Sequence, residues 1–316
     1  MSVDRFYLLK YIGSKLRMVD VLCKLIPDHC TTYAELYCGS AALALNSRNF
    51  KVKILNDYDP HIANFWKVAT NPATSQELLT RLQRTRYSWS DFQEAHERKE
   101  AHGAKQPDKV QWAIDAFLLN HQSFNATGEN WIYRDRTSYE KRLTETTGIP
   151  LVFRRLQEQA FRVYNDNALV VMDKEDLLHN SHAFLFLDPP YLEGLRSDGK
   201  LYYEDMSDLC QHIVLLRKIR DAQAKIVLSG YFSGKDDGTD LYDYYLLPYG
   251  WHRHLLGEYS KGCEVGEKKS VGVEWVWCNY DLETEAPGGI PFLKSYCDEE
   301  KSPCLMEWLA LQSHNQ

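Results

Sequence analysis

The chain has 316 residues and a formal net charge of −7, and 44% of its residues are hydrophobic, enough to bury the core of one large domain or of a domain with a sizeable insertion. No apolar run reaches membrane-spanning length, and residues 1–10 lack the apolar core of a signal peptide. The sequence therefore predicts a soluble, cytoplasmic protein and disfavours a membrane-bound or secreted one.

The acidic excess lies mostly in the C-terminal tail. Residues 281–316 hold seven acidic residues and two lysines, a net charge of −5, which leaves −2 for residues 1–280. The total charge argues against a nucleic-acid partner, but the nearly neutral body of the chain does not. The eight cysteines form no C-x-x-C pair and show no cysteine–histidine spacing typical of zinc, which predicts reduced thiols and no metal.

The N-terminal part predicts a glycine-containing turn, Lys10 to Lys15, that leads into a helix. A short strand at 33–37 follows, then the small-residue turn Cys38-Gly39-Ser40 and a helix at 41–45. Strand, tight turn and helix form the βα unit that cradles nucleotide-like ligands. The next strand, 52–56, ends at Asp57, where an acidic residue is well placed to bind ribose hydroxyls.

Residues 61–160 interrupt this βα rhythm with polar, helical segments, which predicts an inserted module. Its helices are expected at 77–82, 91–101, 109–119 and 139–144, and a loop rich in amides and aromatic residues at 120–131. Strands then resume at 161–164, 183–187, 225–228, 252–257 and 273–279. The pattern predicts an α/β fold with a doubly wound, mostly parallel sheet. A flexible joint at 286–289 precedes a tail that ends in a short amphipathic helix, Cys304 to Leu311.

The most informative motif is Asp188-Pro189-Pro190-Tyr191, which follows the apolar strand 183–187. A continuous apolar run predicts a strand buried on both faces, so Asp188 is expected at the carboxyl edge of the sheet, where ligands bind. Hydrogen bonds from an aromatic amine to the Asp188 carboxylate and the Pro189 carbonyl would make the nitrogen more nucleophilic, and Tyr191 would stack on the ring. A strand end with a capping acid is the simpler alternative.

The order of these pieces resembles the DNA adenine-N6 methyltransferases of the Dam type, over roughly residues 7–280. That family has an N-terminal K-[WY]-x-G-[GS]-K element, then the S-adenosylmethionine strand, a target-recognition module and D-P-P-Y. The resemblance implies a catalytic methyltransferase domain over 1–60 and 161–285, a helical DNA target-recognition domain over 61–160, and a C-terminal tail over 286–316.

The resemblance also implies S-adenosyl-L-methionine as the cofactor and a set of residues for each role. Asp188, Pro189, Pro190 and Tyr191 match the catalytic tetrapeptide. Ser14 stands where a second glycine is commoner, and the family's acid before Ala168 is replaced by Asn167, so that either Asp166 or Asn167 faces the cofactor's adenine. The implied cofactor-binding residues are Tyr11, Lys15, Glu35, Gly39, Asp57, Asp166, Asn167 and Asp188.

Double-stranded DNA is the implied partner. Residues 120–125 are similar to the family's N-R-x-x-Y-N-G recognition loop, so Asn120, Asn125, Arg134 and Arg136 are expected to contact bases. Lys268 and Lys269 are expected to hold phosphates. The resemblance also allows a companion restriction nuclease.

The predicted reaction is direct methyl transfer to the amine of a flipped adenine, which needs no cysteine nucleophile. Three alternatives remain open: the same chemistry on cytosine N4 or on RNA, a DNA-binding specificity protein without activity, and a small-molecule methyltransferase. The last has no evident use for the amide-rich loop.

Overall fold

A computed structural model describes residues 5–133, 136–190, 209–230, 240–260, 271–286 and 295–296. Eight strands of these residues form a single sheet: β1 Thr32–Glu35, β2 Val52–Asn56, β3 Phe161–Tyr164, β4 Ala183–Leu187, β5 Lys225–Gly230, β6 His252–Ser260, β7 Val271–Cys278 and β8 Ser295–Tyr296. The α-helices of the described residues are α1 Val19–Lys24, α2 Ala42–Asn46, α3 Pro60–Thr70, α4 Pro72–Leu82, α5 Trp89–His102, α6 Lys109–Gln122, α7 Arg136–Thr144, α8 Ile149–Gln157, α9 Ala168–Lys174, α10 Leu209–Ile219, α11 Leu241–Leu246 and α12 Leu282–Glu285.

The strand order is β3-β2-β1-β4-β5-β7-β6-β8. The first five strands run parallel to their neighbours, and β7, β6 and β8 pair antiparallel. The order reverses between β1 and β4, and such a switch point opens a crevice outside the carboxyl ends of the strands. The doubly wound, mostly parallel sheet predicted from the sequence is therefore confirmed.

Strand β4 shows why its apolar run forms the centre of the sheet. All five of its residues are buried, and successive side chains point to opposite faces. Phe184 and Phe186 join the core on one face, while Ala183, Leu185 and Leu187 join the core on the other. With both faces covered, β4 carries Asp188 to the carboxyl edge, as the sequence predicted.

The helices between β2 and β3 share their apolar core with one face of the sheet. Phe65 of α3 stacks on Phe117 of α6 with ring centroids 6.4 Å apart, and both belong to the same buried cluster as Phe184 and Phe186. The neighbouring Trp66 donates its indole N–H to the Gly39 carbonyl at 2.8 Å. The helical character predicted for 61–160 is thus present, packed directly against the sheet.

The predicted boundary between α6 and the loop that follows it changes. Helix α6 continues to Gln122, so residues 120–122, predicted as loop, form its last turn. His121 and Gln122 are buried there, and the Gln122 amide donates to the Arg86 carbonyl at 2.7 Å, so tertiary contacts extend the helix. The tail helix predicted from Cys304 to Leu311 lies outside the described residues. None of the described helices is both long and apolar enough to cross a membrane.

The side chain of Asn279, directly after β7, is hydrogen-bonded to the backbone at the beginning of β5. Its side-chain oxygen accepts from the Ile226 N–H at 2.8 Å, and its amide nitrogen donates to the carbonyls of Ala222 at 3.2 Å and Ala224 at 2.7 Å. One side chain thus satisfies three backbone groups at the point where the sheet changes from parallel to antiparallel pairing.

We expect Asn279→Ala to lower the free energy of unfolding by about 1–3 kcal/mol, because it leaves the Ile226 N–H and two carbonyls without these partners. Urea unfolding measures the change. Asn130→Ala, an exposed asparagine, is the matched control and should stay within about 0.5 kcal/mol of the wild type. Equal stability of the two variants would contradict this role.

Candidate active site

A cavity of about 310 Å³ lies at the switch point of the sheet. It is lined by the N-terminal turn, by the segments that follow β1, β2, β3 and β4, and by helix α10. Every residue that the sequence analysis assigned to the cofactor lines this one cavity: Tyr11, Lys15, Glu35, Gly39, Asp57, Asp166, Asn167 and Asp188. Pro190 lines it as well, whereas Tyr191 lies outside the described residues.

The Gly39 turn accepts no side chain. Gly39 has a φ of +43°, and a Cβ atom there would lie 2.5 Å from Cδ1 of Tyr11. Glycine tolerates this backbone conformation, and its missing side chain lets the Tyr11 ring pack on the turn. The N-terminal turn and the turn after β1 therefore meet as two walls of the cavity.

Glu35, at the end of β1, connects the cavity to the core. Its Oε2 accepts from the Tyr33 hydroxyl at 2.7 Å and from the Ala44 N–H at 3.0 Å, and burial raises the pKa of Glu35 to about 8. Beside it, the Lys53 Nζ donates to the Ala44 carbonyl at 2.6 Å, and burial lowers the pKa of Lys53 to about 8. Both side chains hold helix α2 against the sheet.

Asp57 ties the end of β2 to the Gly39 turn. One carboxylate oxygen accepts the Gly39 N–H at 2.7 Å, and the other accepts the Asp59 N–H at 3.0 Å. Burial, reinforced by the nearby Asp59 charge, raises the pKa of Asp57 to about 7. The acid stands at the strand end where the sequence predicted it, and it also supports the turn.

The two candidates after β3 differ in their hydrogen bonds. Asn167 caps helix α9, since its Oδ1 accepts the Leu169 N–H at 2.8 Å. Asp166 accepts the Asn167 N–H at 2.8 Å, and its backbone is clamped by Asn56, whose side chain bonds both the Asp166 N–H and carbonyl. Asn56 was not anticipated; its position as the last residue of a buried strand is the sequence signal that singles it out.

Lys15 forms the central ion pair of the site. Its Nζ lies 2.9 and 2.7 Å from the two Asp188 carboxylate oxygens and 3.1 Å from Oε1 of Glu274, and its side chain is only 9% exposed. Asp188 therefore faces a buried ammonium at the carboxyl edge of the sheet. Three charged groups that are distant in sequence thus share one small volume.

Glu274 is a site residue that the sequence analysis missed. It is 2% exposed on β7, and its Oε1 also accepts from the Ser229 hydroxyl at 2.8 Å. A glutamate beside the apolar residues Trp275, Val276 and Trp277 is the signal that could have found it, because a carboxylate among core residues needs a buried partner. Glu274 and Asp188 therefore both contact the Lys15 ammonium, and of these three residues Lys15 and Asp188 line the cavity.

The residues expected to contact DNA lie in several different elements, unlike the cofactor residues, which line one cavity. Asn120 lies in the last turn of α6 and donates to the Ala116 carbonyl at 2.8 Å. Asn125 is exposed on a left-handed turn with a φ of 50°, and Arg136 is exposed and paired with Glu140 at 2.6 Å. The other three, Arg134, Lys268 and Lys269, lie outside the described residues.

Helices α6 and α7, which precede and follow the turn that carries Asn125, contact the N-terminal segment that carries Tyr11 and Lys15. Nε2 of His121 lies 2.9 Å from the Leu8 carbonyl oxygen. The Arg142 guanidinium covers the Tyr7 ring at 3.2 Å from its centroid and donates to the Tyr7 carbonyl at 2.6 Å. The expected DNA-reading region and the cavity therefore share a structural element.

Among the described residues, no group of three or more histidine, cysteine, aspartate or glutamate side chains has a metal-binding arrangement.

The reversed strand order, the antiparallel final strands and the cavity at the switch point define an α/β fold of the methyltransferase type. The family model for "D12 class N6 adenine-specific DNA methyltransferase" matches residues 11–253, and the chain belongs to this family. Membership implies a methyl donor as the cofactor.

Two curated relatives are similar to this chain. It is 24% identical over 268 residues to "Modification methylase LlaI" of Lactococcus lactis subsp. lactis, covering 79% of this chain and 40% of the relative. It is also 24% identical over 210 residues to "Modification methylase StsI" of Streptococcus sanguinis, covering 63% of this chain and 31% of the relative. The chain thus spans less than half the length of either relative.

Glu35 gives a testable pH dependence. The unfolded chain releases its proton near the ordinary pKa of 4.5, whereas the folded protein retains it until about pH 8. The contribution of Glu35 to the free energy of unfolding is therefore fully present below pH 4.5, and it is lost as the pH rises from there to about 8. We expect Glu35→Gln to gain stability relative to the wild type as the pH rises from about 5 to about 8, measured by urea unfolding.

Glu97→Gln, at an exposed position of α5, is the control and should follow the wild type throughout. Parallel stability profiles for Glu35→Gln and the wild type would show that Glu35 titrates normally in the folded protein.

Proposed function

We propose that this chain is a site-specific DNA adenine-N6 methyltransferase, which moves the methyl group of S-adenosyl-L-methionine to the exocyclic amine of an adenine flipped out of duplex DNA. The family match over residues 11–253 and the similarity to two modification methylases support this reaction class. The observation that carries the proposal is the Asp188 carboxylate, which lines the switch-point cavity while Lys15 holds both of its oxygens.

The cavity fits S-adenosyl-L-methionine by its chemistry. Its volume of about 310 Å³ lies in the range of small-molecule sites. Gly39 lets the Tyr11 ring pack on the turn, so that both residues form part of the cavity lining, and Asp57 offers carboxylate oxygens for ribose hydroxyls. When bound, this cofactor supplies an electrophilic methyl group on a sulfonium.

We assign the cofactor's adenine edge to Asp166 in preference to Asn167. The Asn167 side-chain oxygen already accepts the Leu169 N–H as a helix cap, whereas Asp166 brings a second carboxylate oxygen to the cavity. The other residues predicted to bind the cofactor remain proposals: Asp57 binds the ribose, Lys15 holds Asp188, and Tyr11, Glu35 and Gly39 line the cavity.

Asp188 acts on the target amine. A carboxylate has lone pairs for about four hydrogen bonds, so its oxygens can accept the amine hydrogen while they accept from Lys15. The Pro189 carbonyl would accept the second amine hydrogen, which would direct the nitrogen lone pair toward the methyl position; the amine would lose one hydrogen as a proton when it gains the methyl group. Because proline fixes its own φ and restricts the residue before it, the turn holds both acceptors in place. Tyr191, outside the described residues, stacks on the flipped base.

The catalytic domain of this proposal comprises 1–60 and 161–285, and the recognition domain 61–160. Double-stranded DNA in the cytoplasm is the substrate, and a companion restriction nuclease is a proposed partner.

The direct test incubates the protein with labelled S-adenosyl-L-methionine and plasmid DNA, then digests the DNA to nucleosides. N6-methyldeoxyadenosine supports the proposal, N4-methyldeoxycytidine supports the cytosine alternative, and DNA binding without any methylated nucleoside supports a silent specificity protein.

Asp188→Ala should reduce kcat by a factor of about 100 or more, since a lost group that acts on developing charge costs about 3 kcal/mol. The fold should persist, because Lys15 keeps Glu274 as a partner 3.1 Å away. Single-turnover methyl transfer measures the effect, with calorimetry of S-adenosylhomocysteine as a check on the cavity. Asp173→Ala, at an exposed ion pair of α9, is the control. Near-normal turnover of the Asp188 variant would remove Asp188 from the mechanism.

Asn125 should influence the methylated sequence, because its exposed amide can read a base edge in the major groove. We choose Asn125→Gly, since the φ of 50° would strain alanine. Sequencing of methylated sites should reveal a relaxed or altered preference. Asn49→Ala, an exposed asparagine before β2 at the opposite edge of the sheet, should leave the methylated sequence unchanged.

Arg134 follows the same expectation as Asn125, whereas Lys268→Ala and Lys269→Ala should weaken DNA binding at all sequences and reduce its salt dependence. An unaltered preference after combined changes at Asn120, Asn125, Arg134 and Arg136 would place recognition elsewhere.

A further inference from the structure

The turn after β4 contains two consecutive prolines, which limits how the protein can hold it. Pro189 and Pro190 have no backbone N–H, so their carbonyl oxygens are the polar groups that neighbouring elements can bind. The Pro190 carbonyl lies 3.1 Å from Nε2 of His212 on α10. Because a carbonyl oxygen only accepts, the imidazole must carry a proton on Nε2 and donate it.

A second hydrogen bond sets this tautomer. Nδ1 of His212 lies 2.8 Å from the Tyr242 hydroxyl. In a neutral imidazole with its proton on Nε2, Nδ1 is an acceptor, so the Tyr242 hydroxyl donates to it. His212 is fully buried and Tyr242 is 5% exposed, which shields both hydrogen bonds from water.

Tyr242 is itself held rigidly by the core. Its ring packs edge-on against Trp277 of β7 with centroids 4.9 Å apart, and a Cβ atom at Gly230 of β5 would lie 2.9 Å from its Cε2. Burial raises the pKa of Tyr242 well above its ordinary value, so the hydroxyl keeps its proton. A continuous path of contacts therefore leads from β5 and β7 through Tyr242 and His212 to the Pro190 carbonyl.

We propose that His212 is a positioning residue for methyl transfer: its Nε2–H, with Tyr242 on the other ring nitrogen, fixes the Asp188–Pro190 turn so that its two acceptors meet the target amine. This role rests on the proposed function. Lys15 holds the Asp188 side chain, and His212 holds the backbone two residues further on. A displacement of about 1 Å at a reacting centre can cost a factor of about 100 in rate, so the two constraints together set the reaction geometry.

The test compares three variants in single-turnover methyl transfer. His212→Leu removes the donor and should lower kcat by about 100-fold, with the KM for DNA and the affinity for S-adenosylhomocysteine near wild type. His212→Gln places an amide N–H where Nε2 lies and should restore most of kcat. Tyr242→Phe should lower kcat about tenfold, the effect of one lost hydrogen bond. His254→Leu replaces another buried histidine, on β6 and away from the turn, and should retain wild-type kcat.

A glutamine variant as slow as the leucine variant, or wild-type kcat in a folded His212→Leu protein, would overturn the proposal. If His212→Leu does not fold, a Tyr242→Phe protein with wild-type kcat overturns it instead. Long-range nitrogen–proton NMR of labelled histidine adds a readout that needs no activity: His212 should carry its proton on Nε2 alone, and a proton on Nδ1 would refute the contact. Absence of methyl transfer by the wild-type protein would overturn the proposed function separately.

Discussion

The ammonium of Lys15, held between the carboxylates of Asp188 and Glu274, is the interaction on which the candidate site depends. It joins the turn before the first helix to the end of β4 and to the antiparallel strand β7, three segments that are far apart in the chain. Each of these charges would be costly to bury alone, so the three must come together as the sheet forms. The same contact fixes both Asp188 oxygens at the cavity, so the ammonium that joins these segments also orients the carboxylate proposed to act in catalysis.

Two independent supports therefore act on the tetrapeptide that begins at Asp188. Lys15 constrains its side chain by charge, and His212 constrains its backbone at a position where proline offers only a carbonyl. The division follows from the residue types, because the two prolines have no backbone N–H that a neighbouring acceptor could bind, and only their carbonyls remain. The cavity wall at the turn after β1 is shaped differently: Gly39 lacks a side chain, and the Tyr11 ring packs directly on the turn.

The N-terminal segment links the two halves of the proposed enzyme. It lines the cavity through Tyr11 and Lys15, and it contacts the helical region through His121 and Arg142. The helical region and the cavity are therefore joined through one short segment of the chain. Helices α3 and α6 also pack into the same apolar core as one face of the sheet, so packing joins the helical region to the sheet as well.

The sequence by itself determined the fold class and the edge of the sheet at which the site lies. The apolar run of β4 required burial on both faces, and the strand-end acids Asp57 and Asp188 followed from where the strands stop. The family resemblance also implied that Tyr11, Lys15 and Gly39 contribute to one cofactor site, and all three line the same cavity. Only the tertiary structure decided the partners: Glu274 for Lys15, Tyr242 for His212, and Asn56 for the segment after β3. It also extended α6 through Gln122. These contacts join residues distant along the chain, and their favourable energy appears only when packing removes water around them, so no local propensity encodes them.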